Sequence, residues 1–154
     1  MAKDAQTQLV VLVTGASAGI GRETVRLLLE AGHTVWASAR NPKKVADLVS
    51  AGARAVALDV ENESSMKKAL ATIHKRDGRI DVLINNAGYG SYGTLEDVPL
   101  EEARRQFEVN VFGLARLTQL VLPGMRERGS GRIVNIASIA GHVSVPGGAW
   151  YHAS

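Results

Sequence analysis

Three glycines in Thr14-Gly15-Ala16-Ser17-Ala18-Gly19-Ile20-Gly21 carry the first chemistry legible in the chain. The stretch runs from an apolar β-favouring segment into a helical pattern, which is where a phosphate can be held by backbone N–H groups at a helix N-terminus. Gly15 suits the sharp turn. Gly19 has no side chain to keep a pyrophosphate from the backbone, and Gly21 allows the new helix to pack closely on a sheet. The spacing is G-x3-G-x-G, and glycines also gather at plain turns and caps, so the strand-turn-helix setting is what gives the cluster weight. Groups that both donate and accept hydrogen bonds stand farther along: Asn85 and Asn86 in Asn85-Asn86-Ala87-Gly88, then Asn110, Ser138, and Tyr151 thirteen residues after Ser138.

The elements that must position these residues alternate in type. Leu9 to Val13 is a continuous apolar run, the pattern of a strand buried on both faces of a parallel sheet. Ile20, Thr24, Leu27, Leu28 and Ala31 recur at helical spacing until Gly32 ends the pattern. Thr34 to Ser38 reads as a strand, Pro42 to Ser50 as a helix with Pro in its first turn, and Arg54 to Leu58 as a strand. Met66, Ala69, Leu70 and Ile73 mark the next helix, and Ile80 to Ile84 the fourth strand. One long helix is predicted from Leu100 to Arg128, with Ala103, Phe107, Val111, Leu114, Thr118, Leu122 and Met125 as its buried stripe and Pro123 kinking its last turns. Gly113 within it costs about 1 kcal/mol relative to Ala, which implies a packing reason. Arg132 to Ile136 supplies a fifth strand, and Gly147 to Ser154 opens a further helix. The alternation predicts an α/β fold, a doubly wound parallel sheet of Rossmann type with about five strands in the order 3-2-1-4-5.

Composition narrows the function classes. The 154 residues suit a single domain, read here as one dinucleotide-binding unit over 1–154. Apolar residues make 45% and charged residues 21%, an ordinary globular balance. The net charge of +3 is spread without basic runs, so no nucleic-acid partner is expected. With no Cys there is neither disulfide nor thiolate chemistry. The polar lead-in Met1 to Gln8 and the five-residue run after it are too short and too polar for a signal core or a membrane span, so a cytoplasmic protein is expected. His33, His74, His142 and His152 show no metal-ligand spacing. They read as surface or loop residues, His142 standing four positions after Ser138.

Taken jointly, TGxxxGxG at Thr14–Gly21, NNAG at Asn85–Gly88, Asn110, Ser138 and Tyr151 resemble the short-chain dehydrogenase/reductase family, NAD(P)-dependent oxidoreductases. The resemblance implies interconversion of an alcohol and a ketone or other carbonyl substrate by hydride transfer. It implies Tyr151 as acid/base, Ser138 as the group that polarises the substrate oxygen, and Asn110 as the residue shaping the long helix and a proton relay. It implies cofactor contacts at Gly15, Ser17, Gly19, Ile20, Gly21, Arg40, Asp59, Val60, Asn86, Ala87 and Gly88. The acid expected about 20 residues past the glycine turn for a ribose 2′-hydroxyl is missing, and Arg40 can instead pair with a 2′-phosphate, so NADP(H) is favoured over NAD(H). Ala18 departs from relatives that carry a second basic residue there. The family's YxxxK motif would place its Lys one position after Ser154, so the fold is expected to be C-terminally truncated. On this reading the complete form is active and homo-oligomeric, whereas the 154-residue chain does not turn over. The competing reading is a dinucleotide-binding module or fragment without turnover.

Overall fold

Short, β-branched-rich strands and amphipathic helices alternate along the computed structural model, which describes residues 8–154. The stretch before Gln8, most of the polar lead-in, lies outside the described residues. The elements are β1 (Val10–Val13), α1 (Gly19–Glu30), β2 (Thr34–Ala39), a 3-10 turn (Pro42–Val45) leading into α2 (Ala46–Ser50), β3 (Arg54–Ala57), α3 (Glu63–Asp77) and β4 (Val82–Asn85). Then follow α4 (Leu100–Phe107), a π-helical segment (Glu108–Gly113), α5 (Leu114–Glu127), β5 (Arg132–Asn135), a 3-10 turn (Ile139–Gly141) and α6 (Ala149–Ala153). All strand pairings are parallel, in the predicted order β3-β2-β1-β4-β5.

Strand alternation sorts the core into two layers. Val10, Leu12, Trp36, Val56 and Leu83 face α3 and α5, meeting Met66, Ile73, Leu117 and Val121. Val11, Val13, Val35, Ala37, Val82 and Ile84 lie on the other face, with Val25 of α1 and Leu48 of α2 against it. The edge strand β5 is less covered. Ile133 packs toward α5, while Val134 is 41% exposed on the opposite face.

The single long helix of the sequence reading is corrected. Backbone bonding shifts to π geometry at Glu108–Gly113, splitting the span into α4 and α5, and Pro123 lies inside α5, which runs on to Glu127. The predicted stripe is corrected with it. The buried line is Val109, Gly113, Leu117, Val121 and Met125, while Phe107, Val111, Leu114, Thr118 and Leu122 are half-buried beside it. A π turn takes up more residues per turn than an α turn, so apolar spacing extrapolated at 3.6 residues per turn falls out of phase across it. Gly113 shows the packing reason expected of it: a Cβ there would press on the Val60 carbonyl, so α5 sits directly on the turn after β3.

Candidate active site

The carboxy ends of β1, β2, β4 and β5 open into one cleft of about 940 Å³. At the β1 end the chain turns through Gly15, whose φ of +66° suits glycine and whose missing Cβ leaves room for Ala87 Cα, 2.9 Å from where that Cβ would stand. Gly21 is required by closeness, since a Cβ there would collide with the Asn86 amide. Ala18 caps α1 without a side-chain hydrogen bond, and the first turn holds no acid. The orphan N–H groups of that turn and the positive end of the helix dipole are therefore open to an anion.

The loop after β4 is fastened to this turn. Thr14 is buried, and its Oγ1 accepts hydrogen bonds from the Asn86 N–H (2.9 Å) and the Ala87 N–H (3.0 Å). Asn86 Nδ2 donates to the carbonyls of Thr14 (2.9 Å) and Gly15 (3.3 Å). Asn85 points the other way, donating from Nδ2 to Thr118 Oγ1 and Asn135 Oδ1, both at 3.0 Å. Asn110, inside the π segment, grips the same loop: its Oδ1 accepts from the Tyr89 N–H (3.1 Å), and its Nδ2 donates to the Tyr89 carbonyl (2.8 Å) and Ser154 Oγ (3.0 Å).

At the far end, Ser138 caps the 3-10 turn after β5, its Oγ accepting from the Ala140 N–H at 3.1 Å. Tyr151 enters from α6, its ring 5.7 Å from that of Tyr92 and against Gly90. Arg40 is exposed at the end of β2, after the buried Ala39, and makes no ion pair among the described residues. Asp59 shapes its own turn, Oδ1 accepting from the Glu61 N–H at 3.1 Å. Of the residues expected at the site, Gly15, Ser17, Gly19, Ile20, Arg40, Asp59, Val60, Asn86, Ala87, Gly88, Asn110, Ser138 and Tyr151 all line the cleft, and Gly21 packs beneath it.

Several contributors were not anticipated. Gln106 is fully buried: Oε1 accepts from both the N–H and the Oγ of Ser91 at 2.6 Å, and Nε2 donates to Ser154 Oγ at 3.0 Å. A glutamine inside an apolar helical pattern was the available signal, but the predicted stripe ran through Phe107 instead. Tyr89 lines the cleft with its hydroxyl buried and unpartnered among the described residues, and burial pushes its phenol above the ordinary range. Arg105, ion-paired with Glu61 at 3.2 Å, lies over the Tyr89 ring. The reading of the histidines is corrected for His152. Half-buried at the cleft, it accepts the Val145 N–H at Nε2 (3.1 Å) and donates from Nδ1 to the Ala140 carbonyl (2.8 Å), the tautomer these partners require, whereas His142 is exposed and outside the cleft. Among the described residues no cluster of three acids or histidines is placed to hold a metal, and no helix is long and apolar enough to cross a membrane.

Comparison with known proteins agrees with this geometry. The family described as short chain dehydrogenase matches residues 9–154. The 3-ketodihydrosphingosine reductase of Bacteroides thetaiotaomicron is 41% identical over 94% of this chain and 52% of its own length. A short-chain dehydrogenase from Streptomyces avermitilis superposes with a TM-score of 0.91 at 44% identity, covering 97% of this chain and 56% of that one. The closed form of serine dehydrogenase complexed with NADP+ gives 0.89 at 36% identity, covering 94% and 60%. The chain spans about half the length of the curated relatives it matches. With the fold, the strand order and the match over residues 9–154 in accord, the chain belongs to the short-chain dehydrogenase/reductase family of oxidoreductases.

Proposed function

We propose that this chain holds the dinucleotide and the proton-transferring groups of an NADP(H)-preferring oxidoreductase that interconverts an alcohol and a carbonyl compound. The observation that carries the reading is the shared cleft: an uncapped, acid-free helix N-terminus at one end, and the Ser138 and Tyr151 hydroxyls at the other. Its volume, about 940 Å³, is at the upper end of the usual range for ligand sites, as an extended dinucleotide needs. The relative solved with NADP+ supports that cofactor. The relative named 3-ketodihydrosphingosine reductase supports a carbonyl substrate.

Each residue's part follows from its surroundings. The N–H groups at Ala18–Gly21 and the α1 dipole face the diphosphate, while Ser17 and Ile20 line its path. Asp59 and Val60 border the adenine side, and Asn86, Ala87 and Gly88 form the wall opposite the glycine turn. Arg40 pairs with the 2′-phosphate, a planar donor fork meeting a multivalent anion. When bound, the nicotinamide supplies or accepts the hydride. Ser138 Oγ already accepts one hydrogen bond, from Ala140, so its proton is available to the substrate oxygen. Tyr151 exchanges the proton with that oxygen. Asn110 positions: both hydrogens of its Nδ2 and its Oδ1 are committed to Tyr89 and Ser154, which fixes the loop after β4 against the π segment.

Fluorescence titration of the chain with NADPH and NADH tests the cofactor assignment. Arg40→Ala is expected to weaken NADPH about 10- to 100-fold, the worth of a charge-assisted hydrogen bond of about 1.5–3 kcal/mol, and to leave NADH within about twofold. Equal losses for both cofactors would assign Arg40 to general surface charge. In a form extended to the length of its relatives, Tyr151→Phe should abolish turnover with cofactor affinity unchanged; retained turnover would remove Tyr151 from the chemistry.

A further inference from the structure

Arg22, in the first turn of α1, reaches across three segments at once. Its Nη1 donates to the Ser17 carbonyl at 3.1 Å and to the Lys44 carbonyl at 3.4 Å, and its Nη2 forms an ion pair with Asp47 of α2. Ser17 belongs to the glycine loop. Lys44 lies in the 3-10 turn that begins two residues after Arg40, and that turn is itself capped by Asn41, whose Oδ1 accepts from the Lys43 N–H at 3.0 Å. The Arg22 side chain is 26% exposed, so it is tucked between the segments it joins.

We propose that Arg22 is a positioning residue for the dinucleotide: one guanidinium ties the glycine loop to the Arg40 segment and so fixes the separation of the diphosphate and 2′-phosphate sites. The inference rests on the NADP(H) reading above. It adds a residue that touches neither phosphate.

Two features carry the argument. A trans peptide points its C=O and its N–H in opposite directions. Holding the Ser17 carbonyl on Arg22 therefore aims the Ala18 N–H of the same peptide away from Arg22, and Ala18 is a residue that lines the cleft. The second feature is charge. The Asp47 carboxylate is paired with Arg22, and Arg26 Nη2 stands 3.5 Å from the same oxygen, so the Arg22 guanidinium is already engaged by an anion and two carbonyls. A residue so engaged orients backbone; it has little left with which to bind a ligand phosphate. A lysine could keep the ion pair but not the two-carbonyl fork.

The test is titration of the chain with NADPH and NADH for wild type, Arg22→Ala, Arg22→Lys, Asp47→Ala, Arg40→Ala and the Arg22→Ala/Arg40→Ala pair, with thermal unfolding beside each. Arg22→Ala is expected to raise the Kd for NADPH about 10-fold and for NADH about 3-fold, because the glycine loop serves both cofactors and the Arg40 segment only one. Arg22→Lys should recover less than half of the NADPH loss on a logarithmic scale. In the double variant the NADPH losses should be less than multiplicative, since Arg22 acts partly through Arg40. Asp47→Ala, which removes the anchor without touching the loop, should weaken NADPH about 3-fold; it also decides the matter if Arg22→Ala does not fold. Tighter NADPH binding by Asp47→Ala would make Arg22 a latent direct phosphate ligand and overturn the proposal. Wild-type affinities in Arg22→Ala would overturn it while leaving the Arg40 assignment standing. A wild-type chain that binds neither cofactor would sink both.

Discussion

Replacing Thr14 by Val isolates the contact on which the cleft's two main loops depend. The side chains are nearly isosteric, so packing is conserved, but a methyl group would stand where Oγ1 accepts the N–H groups of Asn86 and Ala87 at 2.9 and 3.0 Å. The site is 1% exposed at Thr14, whereas Asn86 and Ala87 are half-buried at the cleft wall. A buried donor left without a partner costs about 1–3 kcal/mol. Two such donors would cost up to about 6 kcal/mol, but water entering from the cleft can reach them, which brings the expectation to about 2–3 kcal/mol. For a domain near 150 residues that is a fall in Tm of roughly 4–12 °C. Urea unfolding gives the stability and NADPH titration the affinity. Thr14→Val should lose both, through the displaced loop, and Thr14→Ser, which restores the oxygen, should recover most of the stability. If Thr14→Val unfolds within about 0.5 kcal/mol of wild type, the two N–H groups have found other partners and the hydroxyl is not the fastening described here.

Asp77 offers a pH-dependent test away from the cleft. Burial alone would push its carboxyl up, but hydrogen bonds from Arg54 and from Trp36 Nε1 (2.7 Å) and the nearby positive charge hold it below 3.8. Its folded pKa lies under the unfolded value, so the stabilisation is full above about pH 4 and is lost as pH falls through the folded pKa. Asp77→Asn should therefore cost about 1.5–3 kcal/mol in urea unfolding at pH 7, and the gap to wild type should narrow below about pH 4; a gap independent of pH would refute the charge argument. Gly113→Ala gains about 1 kcal/mol of helix propensity but drives a methyl onto the Val60 carbonyl, so a net loss of about 1–2 kcal/mol is expected. A stabilised Gly113→Ala variant would mean that α5 moves freely over the turn after β3.

Strand order was legible because short apolar-rich segments at β1, β2 and β4 alternate with helical patterns, the arrangement of a parallel sheet covered on both faces. The glycine turn was legible because its conformation and close contacts restrict residue type at fixed spacing, as at Gly15 and Gly21. The π segment was not, since it is a change of backbone bonding partner, and no single side chain announces one. In retrospect Val109, Asn110, Val111 and Gly113 form a run of weak helix formers, an ambiguity that tertiary packing resolves. His152 and the Arg22 to Asp47 pair were missed for a different reason. Their partners are backbone groups and residues on separate elements, and nothing in linear spacing marks an imidazole that will find a carbonyl twelve positions back.

The adjacent residues Asn85 and Asn86 show why an amide pair suits the end of a central strand. Asn85 ends β4 and Asn86 begins the loop after it, and their side chains diverge, so one dipeptide addresses both neighbours of β4. Asn85 reaches β5 through Asn135 and α5 through Thr118; Asn86 reaches the turn after β1 through the carbonyls of Thr14 and Gly15. A carboxylate in either position would offer no donor to those partners, and an apolar residue would leave Thr118 and Asn135, or two carbonyls, without one. An amide supplies donors without adding a charge beside the uncapped N-terminus of α1. Asn110 applies the same chemistry from the opposite wall, its carboxamide pairing with the N–H and C=O of Tyr89 as a strand neighbour would. The two walls of the cleft are thus held by side-chain amides standing in for backbone. This lets the chain leave the sheet after Asn85 and still present Gly88 and Tyr89 in a defined position on the cleft that Ser138 and Tyr151 also line.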